Sequence, residues 1–267
     1  MNVMITGASG GLGRAFAAEC ASRGDNLFLT DINGEGLKLL QSGIERQYDV
    51  CVTVKACDLT KDESVDEMLL LIDRYGIRFD MLFNIAGIDF EGGFMERERK
   101  NVVAIAAMNV EATLRITHAI LSRRREEKAF SIVFVSSLAS MYPMPLKATY
   151  AASKRFLLDF ALALRQEMKS QNVNTLSLCP GGLATTKEAL DGIAAQGFWG
   201  NATTNKLEKV AHKTIERVQS GKSIYIPGAL NNVLSFCGKL IPRPLIANII
   251  YRRWNNAQDK WLCNDEK

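Results

Sequence analysis

The sequence predicts an α/β fold, a doubly wound parallel sheet with helices on both faces. Three observations predict it. Short apolar runs alternate with longer helical patterns from the first residues onward, and parallel strands need crossovers of that length. A glycine-rich turn, Thr6-Gly7-Ala8-Ser9-Gly10-Gly11-Leu12-Gly13, joins the first run to the first helical pattern. The polar residues with chemical reach fall where apolar runs end, the edge at which parallel sheets bind ligands.

In order, Asn2–Thr6 reads as a buried strand and residues 11–23 as a helix. Asn26–Thr30, ending at Asp31, is the second strand, and Val50–Ala56 is the third, between helical patterns at 34–47 and 61–75. Asp80–Asn84 is the fourth, and one long helical stretch then covers 97–124. Ser131–Ser136, Val173–Cys179 and Ser223–Ile226 complete seven strands, with a helix to about Ser170 before the sixth. The whole is a Rossmann-type, seven-stranded arrangement. Pro227–Lys267 adds a helical extension, with helices at Leu230–Leu240 and Leu245–Trp261 parted by Pro242-Arg243-Pro244. We divide the chain into a Rossmann-type core at 1–228, with a lid near 186–205, and the extension of the same domain at 229–267.

Composition narrows the classes. The 267 residues carry 33 Lys and Arg against 29 Asp and Glu, a formal charge of +4, too small to imply nucleic acid. Arg123-Arg124-Arg125, followed by Glu126-Glu127, reads as a solvated helix end. Six cysteines show no metal-ligand spacing and several sit in apolar runs, as expected of a reducing, cytoplasmic setting. His118 and His212 join no carboxylate or cysteine pattern, so neither a metal site nor a Ser-His-Asp mechanism is expected. No run of eighteen apolar residues occurs.

The glycine turn has the chemistry of a dinucleotide site. Gly7 suits a tight turn, and Gly11 and Gly13 leave room for a pyrophosphate and the neighbouring strand. The helix behind them offers free N–H groups and a positive dipole end. Asp31 is placed to accept hydrogen bonds from both adenosine ribose hydroxyls and to repel a 2′-phosphate. Neither Ser9, Gly10, Ile32 nor Asn33 is basic, and Arg14 is expected to point elsewhere, so NAD is preferred over NADP.

Tyr150 and Lys154 lie four apart on one helix face, close enough for the ammonium to favour the phenolate. With the glycine turn, they make the chain resemble the short-chain dehydrogenase/reductase family from Thr6 to about Thr185. The resemblance implies a catalytic group, since Asn109, Ser137, Tyr150 and Lys154 match the family's catalytic four. By that match Tyr150 is the general acid/base, and Lys154 lowers its pKa and holds the ribose. Ser137 donates to the substrate oxygen, with Ser136 the neighbouring alternative, and Asn109 holds a water leading from Lys154 to solvent. The same resemblance implies cofactor contacts at Gly7, Ser9, Gly11, Leu12, Gly13, Asp31, Asp58, Leu59, Asn84, Ala86 and Gly87. They extend to Tyr150, Lys154, Pro180, Gly181 and Thr185. Asn84-Ile85-Ala86-Gly87 departs from the family's Asn-Asn-Ala-Gly at Ile85.

Met141, Tyr142 and Met144 are expected to line the substrate pocket, with Phe198 and Trp199 closing over it. The substrate expected is a hydrophobic ketone or secondary alcohol, with a hydroxysteroid-like ring system as one form. The alternatives are a 3-oxoacyl-thioester ketoreductase and a non-catalytic NAD-binding sensor. The extension is expected to serve a homodimer or homotetramer, or to close the pocket, ahead of peripheral membrane contact.

Overall fold

The run Val-Met-Ile buries every side chain from Val3 to Ile5 and forms β1 (Asn2–Thr6), Val3 and Ile5 facing one layer of helices and Met4 the other. The structure, a computed structural model, describes residues 1–183 and 204–262. Thr185, Phe198, Trp199 and nearly all of the expected lid therefore lie outside the described residues.

Seven parallel strands follow the order β3-β2-β1-β4-β5-β6-β7, as the alternation predicts. They are β2 (Asn26–Asp31), β3 (Val52–Ala56), β4 (Met81–Asn84), β5 (Phe130–Val135), β6 (Val173–Leu178) and β7 (Ile224–Tyr225). The order reverses between β1 and β4, where Thr6 is in register with Asn84. This is the crevice in which doubly wound sheets bind ligands.

Helices cover both faces. α1 (Gly11–Ser22) and α2 (Gly34–Gln47) pack on one side, where the Phe16 ring lies tilted against Phe83 with centroids 4.6 Å apart. Asn33 caps α2 by accepting from the Gly36 N–H at 2.9 Å. α3 (Asp62–Arg74) lies on the other side, where Met68 and Ile72 are fully buried. The expected long helix is instead two, α4 (Arg99–Ala106) and α5 (Thr113–Leu121), joined by a π-helical turn at Ala107–Ala112. Such turns change which face a residue presents, and this one carries Asn109 inward to zero exposure.

α6 (Ala148–Glu167) carries Tyr150 and Lys154, and α7 (Leu207–Gln219) returns to pack beside α1. The arginine run is not a solvated helix end: α5 stops at Leu121 and the three side chains act as braces. Arg123 pairs with Asp73 at 2.6 Å, Arg125 with Asp80 at 3.6 Å, and Arg124 donates to the Leu121 carbonyl at 2.8 Å.

The extension forms α8 (Ala229–Leu240) and α9 (Arg243–Leu262). α9 starts at Arg243, leaving Pro244 in the first turn, where its missing N–H costs nothing. Val233, Phe236, Leu240, Leu245 and Ile249 are exposed along these helices. No helix among the described residues is long and apolar enough to cross a membrane.

Candidate active site

The glycine turn is closed by its own backbone. Gly7 has φ +65°, and a Cβ there would lie 2.8 Å from the Ala86 backbone. A Cβ on Gly13 would lie 2.2 Å from the Gly7 carbonyl oxygen and 2.7 Å from the Ala8 Cα. Gly13 thus seats α1 against the turn itself and not against a neighbouring strand. Leu12 and Leu59 point into the core, so they reach a ligand only through their backbones. Gly10, at the N-cap of α1, provides no side-chain cap, and the first turn holds no acidic residue. The first N–H groups of α1, which no side chain caps, suit a pyrophosphate, so the residues present fit a dinucleotide.

Asp31 stands at the mouth of this turn. Its Oδ2 accepts from the Ser9 N–H at 3.0 Å and its Oδ1 from the Asn33 N–H at 3.1 Å, which fixes the carboxylate at the end of β2. Arg14 does not point away: its Nε donates to the Ser9 carbonyl at 2.7 Å, folding the guanidinium over the turn. Asp58 accepts from the Thr60 hydroxyl at 2.6 Å, and that bond holds its carboxyl below the usual range.

Thr6, which sequence reading treats only as the start of the turn, ties the crevice together. Its hydroxyl donates to the Phe83 carbonyl at 3.3 Å and accepts from the N–H groups of Ile85 and Ala86 at 3.1 and 3.2 Å. Asn84 is expected to meet the cofactor, but its amide is buried and donates to the Thr117 hydroxyl at 3.0 Å. Its side chain anchors β4 to α5 instead.

Asn109, Ser137, Tyr150 and Lys154 come together around Gly87. A Cβ on Gly87 would lie 3.0 Å from Asn109 Oδ1 and 3.2 Å from Lys154 Nζ, tight enough that one of the two would have to shift. Both amide hydrogens of Asn109 are used, on the Ile88 carbonyl and the Ser153 hydroxyl at 3.0 Å each. Its Oδ1 accepts from the Ile88 N–H at 2.9 Å. The side chain therefore clamps the Ile88 backbone, and the expected water is not held by its amide N–H groups. Ser136 donates to the Lys154 carbonyl at 2.7 Å, a structural task, while Ser137 is the neighbour that acts on the Tyr150 phenol to lower its pKa.

Lys154 donates to the Val135 carbonyl at 2.9 Å, with its Nζ 5.6 Å from the Tyr150 ring centroid. Burial drives its pKa down to about 8. Tyr150 is pushed up to about 12, first by burial and then by the Asp89 carboxylate, against the lowering effects of Ser137 and Lys147. Among the chain's own side chains, Ser137 and Lys147 act to lower the phenol, and burial outweighs them.

A cavity of ≈ 390 Å³ opens beside Tyr150, its wall mostly apolar, with Phe90, Phe94, Met95, Ile105, Leu146 and Tyr251, and charged at Glu96, Arg97 and Lys147. Met141, Tyr142 and Met144 do not line it, and Tyr142 packs against Gly238 of α8 instead. Tyr251 comes from α9, so the extension contributes to this cavity. The residues sequence reasoning missed are Phe90, Lys147 and Tyr251. An apolar residue three places after Gly87 and a cation three before Tyr150 were the available signals. His118 is exposed on α5 and His212 pairs with Glu19 at 2.9 Å, neither within the site. No cluster of metal-binding side chains occurs among the described residues.

Residues 1–191 match the family described as short chain dehydrogenase. Among curated relatives, a very-long-chain 3-oxoacyl-CoA reductase from Bos taurus is 26% identical over 97% of this chain and 81% of its own length. One of the same name from Scheffersomyces stipitis is 33% identical over 64% of this chain and 52% of its own. The match thus spans about half the length of the fungal relatives. A short chain dehydrogenase/reductase from Burkholderia phymatum, in complex with NAD, superposes with a TM-score of 0.77 at 19% identity, covering 88% of this chain and 91% of its own. A short-chain dehydrogenase from Sphingobium yanoikuyae, in complex with NADPH, superposes with a TM-score of 0.73 at 22% identity, covering 85% and 88%.

Proposed function

This chain belongs to the short-chain dehydrogenase family, and on that premise we propose that it reduces the ketone of a long-chain 3-oxoacyl thioester, drawing on NADH. The observation that carries the substrate class is the apolar cavity beside Tyr150, whose aromatic and aliphatic walls suit an acyl chain. The names of the relatives point to the same chemistry, and the ring-system substrate expected from sequence gives way to it. The direction proposed follows the relatives' names as reductases, and the protonation of Tyr150 agrees with it. A phenol held near 12 keeps its proton at neutral pH, as a general acid in ketone reduction must.

When bound, the nicotinamide supplies the hydride. Tyr150 delivers the proton to the ketone oxygen, and Ser137 donates a second hydrogen bond where negative charge develops. Lys154, anchored on the Val135 carbonyl, presents its remaining N–H groups to the ribose hydroxyls. Gly87, lacking a Cβ, leaves room for that ammonium. NADH is preferred because Asp31, fixed by the Ser9 and Asn33 N–H groups, meets an adenosine 2′-position with negative charge.

The test is nicotinamide oxidation by the purified protein with 3-oxoacyl thioesters of rising chain length, beside cyclic ketones, with NADH and NADPH in parallel. We expect kcat/KM to rise with chain length, with turnover lost in Tyr150→Phe. Turnover of cyclic ketones but no thioester would remove the substrate assignment. Asp31→Ala should raise the KM for NADH about tenfold, the loss of roughly 1.4 kcal/mol of binding. It should also lower the KM for NADPH, since Arg14 then becomes the nearest charge to the ribose. Unchanged constants for both cofactors would overturn the role of Asp31.

A further inference from the structure

We propose that Asp89, clamped by Lys147, is a positioning residue that sets the proton affinity of Tyr150 and so biases the site toward reduction. The proposal deepens the reductase reading above and rests on it. Lys147 Nζ lies 2.6 Å from Asp89 Oδ2 and also pairs with Glu91. The same Nζ sits 5.6 Å from the Tyr150 ring centroid, the distance also found for Lys154. The ring therefore has two ammonium groups near it, of which the Lys147 one is already matched by carboxylates. The other oxygen of Asp89, Oδ1, is buried and has no hydrogen-bond partner.

An enclosed carboxylate oxygen without a donor is costly, and the backbone shows what keeps it there. Leu146, immediately before Lys147, has φ +64°, a conformation that a leucine adopts only under constraint. Its carbonyl accepts from the Gly92 N–H at 2.9 Å, which ties the 89–92 loop to the segment carrying Lys147. Strain, an ion pair and a backbone tie all act to hold one carboxylate on Lys147, whose Nζ is 5.6 Å from the Tyr150 ring centroid. Strain of this kind gathers at functional sites.

The electrostatics have one sign. Facing Tyr150 among the described residues are Asp89 and Glu91 from the loop after β4, Lys147 before α6, Lys154 on α6 and Ser137 after β5. Asp89 acts on both Tyr150 and Lys154: it raises the phenol and offsets part of the desolvation that lowers the ammonium. Lys147 opposes Asp89 at the phenol. Burial works against its own charge, yet Asp89 and Glu91 outweigh burial and lift its pKa above the ordinary value. Removing Asp89 leaves an excess of cation that favours the phenolate, and removing Lys147 leaves an excess of anion that favours the phenol.

The experiment measures the pH dependence of NAD-dependent oxidation of whichever 3-hydroxyacyl thioester or simple secondary alcohol the protein accepts, in Asp89→Asn and Lys147→Met. The acid limb should move down by about one pH unit in the first and up by a similar amount in the second. Loss of rate with the limb unmoved in both, or movement in the same direction, would show a structural role only and overturn the proposal. The same opposed shifts are expected without any substrate, in the tyrosinate absorbance of each protein minus that of its Tyr150→Phe counterpart. A protein that turns over nothing would sink the reductase reading, while this titration would still decide the role of Asp89.

Discussion

Lys154→Met should give a protein that melts higher than its parent and turns over about a thousandfold more slowly, the share expected when proton transfer and its partner are lost. The two effects share one cause. Lys154 is 4% exposed, and its pKa falls from 10.5 to about 8 because burial disfavours the ammonium. At 1.36 kcal/mol per pH unit, keeping it charged at neutral pH costs about 3 kcal/mol. The variant abandons the hydrogen bond to the Val135 carbonyl, a loss of roughly 1 kcal/mol. Methionine fills nearly the same volume without the charge, so the balance is a gain of about 2 kcal/mol.

The pH dependence provides the sign. The folded pKa of Lys154 lies below the unfolded one, so between about 8 and 10.5 the unfolded chain binds more protons. The contribution of this group to stability then rises with pH, and the advantage of the methionine variant shrinks over that window. Tyr150 works oppositely at higher pH. Its folded pKa near 12 lies above the ordinary 10, so its contribution is present below 10 and lost as pH climbs toward 12. Thermal melts of both proteins at several pH values measure these trends. A methionine variant that melts lower than its parent at neutral pH would refute the account of Lys154.

Gly13→Ala is expected to be the most damaging single methyl in the chain. The added carbon would lie 2.2 Å from the Gly7 carbonyl oxygen and 2.9 Å from the Ala8 carbonyl carbon, both backbone atoms that no rotamer change relieves. α1 must shift outward, at a cost of about 3 kcal/mol. That movement displaces the N–H groups offered to the pyrophosphate, so cofactor binding should be lost together with stability. Gly10→Ala is the control. Its Cβ would meet only the Gly7 oxygen at 3.5 Å, an ordinary contact, and its φ of −73° suits any residue. Melting curves and titration of NADH fluorescence compare the two. Equal behaviour would show that the turn is looser than described.

Much of this is legible in the sequence because its signals are local. Strand alternation leads to the parallel sheet, and the spacing of Ser137, Tyr150 and Lys154 leads to one cluster of side chains. Three things are not legible, for physical reasons. The π-helical turn at Ala107–Ala112 leaves no composition mark, so a single helix is the natural expectation across Asn109. The electrostatic state of Tyr150 depends on burial and on Asp89, which is 61 residues away in sequence and is brought close only by the folded loop after β4. The pocket wall is misplaced by sequence because Met141 and Tyr142 look like lining residues by their proximity to Tyr150 in the chain. In the structure Tyr142 is turned toward α8, and Phe90 and Tyr251 take that place.

The origin of Tyr251 separates two kinds of inheritance within one chain. The parts that would hold the dinucleotide and move the proton belong to the sheet and its crossovers, where almost any substitution disturbs a packed neighbour. One wall of the cavity belongs to α9, a helix that takes no part in the sheet. Variation at Tyr251 is therefore expected to alter the shape of the cavity while leaving the sheet and its crossovers as they are, and a laboratory seeking altered selectivity has that position to vary.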